Sequence, residues 1–349
     1  MRIVSIAEKT LGPKGTRVTE LGLGAGPLGD PLEATPDSQA QLTLAAAWDA
    51  GVRYFDTAPW YGNTLSEHRL GQFLRTRARE ELVVSTKVGR VYSRPADPSR
   101  YHTTEHGTRW QGGLPFVPRF DFSGSGIRRS YEDSLQRLGL NRVDFLVIHD
   151  LDQRHQRGEA GVSRAIEQLD AGGGFQELDA MRLRGEIRAI GAGVNHTGMI
   201  PRLLERFAID YFLIAMPYTL LEQDALDGEL QICAERGVQV VIGSVFASGI
   251  LATGTRAGAQ YGYQPAAAGI LRKVAQLESV CAAHSVSLTA AAMAFPLAHP
   301  AVAAIIPGAE SAQQVEQNVA AYHSEIPREF WQQIRRQGLV RADAPLPID

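Results

Sequence analysis

With 349 residues, 44% of them hydrophobic and 21% charged, the chain has an ordinary globular composition and length for one large core, which excludes a disordered or fibrous protein. A formal net charge of -3 gives no general attraction to nucleic acid or to an anionic lipid surface, so neither is expected as a partner. No apolar stretch reaches the roughly 18 residues of a membrane span, and the first ten residues carry Arg2, Glu8 and Lys9 where a signal peptide has an apolar core; the cytoplasm is the expected location.

In chain order, Gly12-Pro13-Lys14-Gly15 lies between short apolar pieces and predicts an N-terminal β-hairpin. Strand-like runs follow at residues 21–25, 52–55, 82–86, 143–148, 187–192, 211–215, 238–242 and 302–306. Helical patterns separate them at 38–50, 66–79, 127–138, 162–184, 199–206, 222–236, 269–284 and 311–322, with Gly51, Gly139, Gly185 and Gly237 as stops. Eight alternations predict an α/β fold, a (β/α)8 TIM barrel, with no linker or charge run to divide residues 1–349 into more than one domain. Cys233 and Cys281 fall within helical patterns, without CxxC spacing or neighbouring His, and read as reduced packing residues.

Residues 89–125 break the rhythm and predict a long loop after the third strand. The segment holds Pro95, Pro98, Pro115 and Pro118 with Tyr92, Tyr101, Trp110, Phe116, Phe120 and Phe122. An aromatic loop at a barrel mouth is placed to cover a substrate, with Trp110 the favoured contact. His102 and His106 lie four apart, but no helical pattern or carboxylate pair accompanies them, and no metal site is expected.

Asp56, Lys87, His149 and Asn195 each stand at or just beyond the end of a different strand run, and Tyr61 follows Asp56 by five residues. The carboxyl ends of the strands and the loops after them form the active-site face of such a barrel. An acid, a phenol, an ammonium and an imidazole converging there predict a proton-transfer site. Gly24-Ala25-Gly26-Pro27-Leu28-Gly29 satisfies GxGxxG, yet Pro27 and Pro31 sit where a phosphate-binding helix should begin, so a dinucleotide turn is not expected there.

The run Phe55-Asp56-Thr57-Ala58-Pro59-Trp60-Tyr61-Gly62, the Ser85-Thr86-Lys87 strand end, the strand from Val143 to His149 and the segment from Ile306-Pro307-Gly308 to Asn318 resemble the aldo-keto reductase superfamily, over about 16–322. Within it, Trp110-Gln111-Gly112-Gly113-Leu114-Pro115-Phe116, the stretch from Arg129 to Leu140 and His149-Asp150 resemble the bacterial D-threo-aldose 1-dehydrogenases and L-fucose dehydrogenases, with pyridoxal 4-dehydrogenase close to them. The resemblance implies that Tyr61 moves the proton, that Lys87 stabilises its phenolate with Asp56 holding the ammonium, and that His149 orients the substrate oxygen. Chemistry agrees, since a phenol with a pKa of about 10 is a poor base at neutral pH without a nearby cation.

The resemblance also implies a nicotinamide cofactor. Asn195 matches the position that holds the carboxamide, although Val194 replaces the usual serine; residues 243–251, with Ser244, Gly249 and Leu251, match the pyrophosphate loop. Gly243 stands where many members stack a tyrosine on the nicotinamide, which leaves that contact unassigned. NADP-using members place a lysine after the Ile-Pro pair and an arginine six residues later; here Gly308 and Gln314 occupy those places after Pro307, Glu310 lies between them and Asn318 matches an adenine contact. A 2'-phosphate needs cations, so NAD is expected over NADP. The implied activity is oxidation of the C1 hemiacetal of an unphosphorylated aldose to the lactone, with Trp60, Trp110 and His149 on the substrate. Pyridoxal oxidation and a nicotinamide-binding regulatory subunit remain as alternatives.

Overall fold

The computed structural model describes residues 5–31, 33–97, 110–262 and 264–348, so Pro98, Tyr101, His102 and His106 lie outside the described residues. Strands β1 (Glu8–Leu11) and β2 (Thr16–Thr19) form the expected hairpin. The barrel strands are β3 (Leu23–Gly24), β4 (Tyr54–Asp56), β5 (Val83–Val88), β8 (Phe145–Ile148), β9 (Ala189–Val194), β10 (Tyr211–Ile214), β11 (Gln239–Ile242) and β14 (Val302–Ile305). They pair in parallel in that order, and bridges from Leu21 to Ile305 and from Gly24 to Gly308 join the last strand to the first. The (β/α)8 barrel is therefore closed, and every one of the eight expected runs contributes a strand.

Continuous apolar runs form these strands because both faces are covered; the four residues of β8 are all buried. Inside the barrel Tyr54, Phe145, Val147, Tyr211, Leu213, Val241 and Ala304 form one cluster, and Leu11 and Val18 of the hairpin complete it, stopping the amino end of the barrel. Burying two such side chains contributes roughly 1.5 to 3 kcal/mol each. Gly191 makes this interior possible, because a Cβ there would lie 2.6 Å from the Tyr211 ring.

The outer layer comprises α1 (Asp37–Asp49), α2 (Leu65–Leu74), α3 (Gly124–Leu138), α4 (Glu159–Leu169), α5 (Gly174–Arg184), α6 (Met199–Leu204), α7 (Glu229–Glu235), α8 (Ile250–Thr253), α9 (Ala268–Ala283), α10 (Leu288–Leu297), α11 (Ala312–Tyr322) and α12 (Arg328–Arg336). The single helix expected at 162–184 is two, α4 and α5, because Gly172 and a left-handed Gly173 with φ 77° interrupt it. The helix expected at 222–236 shortens to a 3-10 turn at Asp224–Leu226 followed by α7, the break falling at Gly228 with φ 100°. Described residues of the long excursion after β5 form a hairpin, β6 (Arg90–Ser93) with β7 (Val117–Phe120), and a short pair, β12 (Gln260–Tyr261) and β13 (Gln264–Pro265), follows α8. Both cysteines are buried, which pushes the Cys233 thiol up to about 12 and the Cys281 thiol up to about 11. Among the described residues no single helix is long and apolar enough to cross a membrane.

Candidate active site

Asp56 ends β4 and pairs across the sheet with Ser85 of β5. Side chains alternate along a strand, so Ser85 and Lys87 point to the same face as Asp56. Lys87 Nζ donates to Asp56 Oδ2 at 2.5 Å and to the Thr57 carbonyl at 2.9 Å, while Ser85 Oγ donates to the other carboxylate oxygen at 2.7 Å. Tyr54 OH stands 3.2 Å from Ser85 Oγ, extending the chain into the barrel. Burial pulls the Lys87 pKa down, but the charges of Asp56 and Tyr61 and hydrogen bonds to both bring the net shift upward, and the group stays an ammonium.

Tyr61 sits in the loop after β4, its ring centroid 4.8 Å from Lys87 Nζ. Two glycines of the GxGxxG run, Gly26 and Gly29, pack against that loop. Gly26 packs on the Tyr61 ring, and a Cβ on Gly29 would lie 2.4 Å from the Gly62 nitrogen, so only glycine allows the two backbones to touch. The His149 ring meets the Tyr61 ring edge-on at 6.0 Å, and its backbone donates to the Val88 carbonyl. The structure thus brings Asp56, Tyr61, Lys87 and His149 together at the carboxyl end of β4, β5 and β8. Burial, followed in effect by Asp150 pulling the other way and by Arg90, Lys87 and His155, lowers the His149 pKa well below its usual value, so the imidazole is neutral.

A second buried cluster adjoins this group, and of its polar members the sequence assigned a role to Asn195 alone. Arg90 pairs with Asp150 at 2.7 Å, its guanidinium between the rings of Trp60 at 4.6 Å and Phe120 at 4.3 Å. Asn195 Nδ2 donates to Asp150 at 3.2 Å and to Asp152 at 2.8 Å, and His155 Nδ1 lies 2.9 Å from Asp152. Asp150, Asp152 and His155 are close enough to share a cation, but the guanidinium and the amide already satisfy these carboxylates. The signal available in the sequence was the density of polar groups in His149-Asp150-Leu151-Asp152-Gln153-Arg154-His155 directly after a strand.

Around the mouth, Trp60 and Trp110 meet edge-on at 6.0 Å, and Trp110 lies 5.8 Å from Tyr61. Trp110 is 1% exposed, so it backs Tyr61 and Trp60 and presents no open face. The Gln111 nitrogen donates to the Asp30 carbonyl and the Leu114 nitrogen to the Gly62 carbonyl, which seats this segment over the loops after β3 and β4.

The loop after β11 carries an unusual backbone run. Ala247, Ser248 and Gly249 take consecutive left-handed φ values of 47°, 63° and 101°, and the Ser248 hydroxyl is buried with no hydrogen-bond partner. Ser244 accepts from the Ala247 nitrogen, whereas Leu251 packs in the core with its nitrogen committed to Phe246. At Gly243 a Cβ would meet Leu213 at 3.0 Å. Pro307 accepts from the Gly24 nitrogen, and a Cβ on Gly308 would lie 2.6 Å from Pro27, which leaves no room for a lysine. Gln314 accepts from the Glu310 nitrogen at 2.7 Å, and Asn318 donates to the Gly308 carbonyl at 3.4 Å. Burial, reinforced by the charges of Glu33 and Asp30, raises the Glu310 pKa.

A closed barrel with these groups at its carboxyl face defines a class, and comparison with known proteins gives the family. The chain belongs to the Aldo/keto reductase family, whose model matches residues 20–337, and it is an oxidoreductase of that type. It is 38% identical to pyridoxal 4-dehydrogenase of Microbacterium luteolum, covering 97% of this chain and 100% of the relative. It is 35% identical to D-threo-aldose 1-dehydrogenase of a Pseudomonas species, covering 97% and 99%. Among solved structures, an aldo-keto reductase from Bacillus halodurans superposes with a TM-score of 0.72 at 24% identity, covering 97% and 98% of the two chains. A glycerol dehydrogenase from Gluconobacter oxydans does so with 0.73 at 20%, covering 100% and 98%; both show the shared fold.

Proposed function

We propose that this protein is a cytoplasmic, single-domain NAD-dependent dehydrogenase that oxidises the C1 hemiacetal of an unphosphorylated aldose, of L-fucose, L-galactose or D-arabinose type, to the lactone. The observation that carries the reading is the Tyr61 phenol held beside a buried, charged Lys87 and a neutral His149. Tyr61 accepts the proton of the anomeric hydroxyl, Lys87 stabilises the phenolate, and Asp56 with Ser85 holds Lys87 in place. His149 donates to the substrate oxygen, which its neutral state permits. NAD, when bound, supplies the acceptor for the C1 hydride. Asn195, the loop around Ser248 and the stretch from Gly308 to Asn318 would hold the cofactor, and the buried, unpartnered Ser248 hydroxyl fits a phosphate oxygen there.

The filled space at Gly308 and the acidic surroundings of Glu310 support NAD, since a 2'-phosphate would meet carboxylates and find neither the lysine nor the arginine. Trp60 at the mouth suits the C–H face of a neutral ring. Arg90 is the buried cation nearby, but Asp150 neutralises it, so it offers no free charge to an anionic sugar. A second reading is pyridoxal, favoured by the 38% identity to a pyridoxal 4-dehydrogenase; it too presents a cyclic hemiacetal and gives a lactone. NADH formation with a panel of aldoses and pyridoxal tests both. Turnover of neutral aldoses is expected, and activity on pyridoxal with none on any sugar would overturn the substrate class.

A further inference from the structure

We propose that the buried Arg90–Asp150 ion pair is a positioning device that fixes two groups at once, the tautomer of His149 on the substrate side and the amide of Asn195 on the cofactor side. The proposal rests on the roles given above to His149 and Asn195. Arg90 is 5% exposed, and its guanidinium is held by Asp150 Oδ2 at 2.7 Å and by the faces of Trp60 and Phe120. The same Nη1 that pairs with Asp150 also lies 3.4 Å from His149 Nδ1. That contact is long, but a guanidinium carries donors only and a carboxylate acceptors only; with Nδ1 facing Arg90 and Nε2 lying 3.5 Å from Asp150 Oδ1, both neighbours favour an accepting Nδ1 and a proton on Nε2. The groups around His149 are Asp150, Arg90, Lys87, His155 and Tyr61; the three basic neighbours lower its pKa, while Asp150 raises it. Without Arg90, Asp150 would act on the imidazole with less opposition.

Asp150 performs the other half. It adopts φ 54°, a left-handed conformation that the pairing with Arg90 helps to hold. Its Oδ1 and Asp152 Oδ2 both accept from Asn195 Nδ2. A carboxylate cannot donate, so the Asn195 amide has one orientation, with its accepting Oδ1 turned away from both acids. A carboxamide N–H is the group that such an acceptor recognises. The geometry also accounts for an acid directly after His149, in the His149-Asp150 pair to which no role has been given.

The test uses the full-length protein with 15N-labelled histidine, because imidazole nitrogen shifts read the tautomer and pKa without turnover. Wild type is expected to show His149 as a neutral Nε2–H tautomer through pH 6 to 9; an Nδ1–H tautomer overturns the proposal without any variant. In Arg90→Gln the His149 pKa should rise, and kcat/KM should gain an acidic limb that falls about tenfold per pH unit, absent from wild type. Arg90→Lys, which keeps the charge but not the fork, should mix the two tautomers while largely restoring the pH profile. Asp150→Asn should weaken NAD binding, titrated by protein fluorescence, about tenfold, the loss of roughly one charge-assisted hydrogen bond's worth of orientation. An unchanged His149 titration in Arg90→Gln, or unchanged NAD affinity in a folded Asp150→Asn, overturns the proposal. If wild type oxidises no hemiacetal but the titration and NAD-affinity changes occur, the assigned reaction fails while the positioning role stands.

Discussion

Replacing Asp56 by Asn leaves the Lys87 ammonium buried without its carboxylate, and both the stability and the activity consequences can be worked from the geometry. Both side chains are almost inaccessible, at 1% and 2%, and meet at 2.5 Å. Breaking a buried pair by removing one partner costs about 3 to 5 kcal/mol. There is a ceiling, because Lys87 can escape by releasing its proton. At pH 7 that release, from an ordinary value of 10.5, costs about 4.8 kcal/mol at 1.36 kcal/mol per pH unit. At about 2.1 cal/mol/K per residue, unfolding 349 residues carries about 0.7 kcal/mol/K, so Tm should fall by roughly 4 to 7 °C. With burial unopposed, the folded Lys87 pKa drops below its unfolded value. The folded variant then binds fewer protons than the unfolded chain, and its stability rises with pH towards 10.5. The Tm gap to wild type should therefore narrow between pH 7 and pH 9.5. Activity should fall by roughly 10²- to 10⁴-fold, since an uncharged amine no longer favours the Tyr61 phenolate. Melting curves at the two pH values and NADH formation are the assays; a Tm within about 1 °C of wild type with normal kcat would refute the reasoning.

Tyr61→Phe removes only the phenol oxygen, so NAD affinity should survive while kcat falls roughly 10²- to 10⁴-fold; near-normal turnover would remove Tyr61 from the proton path. Glu310→Arg should shift the ratio of kcat/KM values towards NADP, and a wild-type preference for NADP under matched conditions would show that the adenosine end was misassigned. Burial raises the Glu229 pKa although its Oε1 accepts from the Gly198 and Ile200 nitrogens, so its folded state holds the proton more tightly and wild-type stability declines as pH rises through that range. Glu229→Gln should remove that decline and leave Tm at pH 7 equal to or above wild type, whereas a loss of several degrees would contradict the sign. Trp110→Ala, which withdraws the packing behind Tyr61 and Trp60, should lower kcat at least as much as it raises KM; a raised KM with normal kcat would show that Trp110 contributes uniform binding instead.

The barrel was legible because parallel strands covered on both faces write themselves as short continuous apolar runs, as Phe145 to Ile148 does. What escaped lacked that contrast. Helix α10 is Leu-Thr-Ala-Ala-Ala-Met-Ala-Phe-Pro-Leu, six of its residues buried, and shows no polar face to give a helical period. Strand β7 carries Pro118, which argues against a strand unless it lies at an edge, as it does in this two-stranded hairpin. The break between α4 and α5 was written in Gly172-Gly173-Gly174 and was outweighed by the apolar period on either side. At the site, strand ends disclosed Asp56, Lys87, His149 and Asn195 because the barrel sends them to one face. The Arg90–Asp150 pair joins residues sixty apart along the chain, and no local spacing discloses a partnership made only by the fold.

The most direct test of the central claim is the identity of the first product. Wild-type protein, NAD and L-fucose, L-galactose or D-arabinose would be followed by NMR fast enough to precede spontaneous ring opening. Tyr61 taking the anomeric proton predicts that the aldonolactone appears first, one per NADH formed, and that the open-chain acid follows at the rate of lactone hydrolysis. An open-chain acid appearing before any lactone would contradict the hemiacetal chemistry assigned to this site.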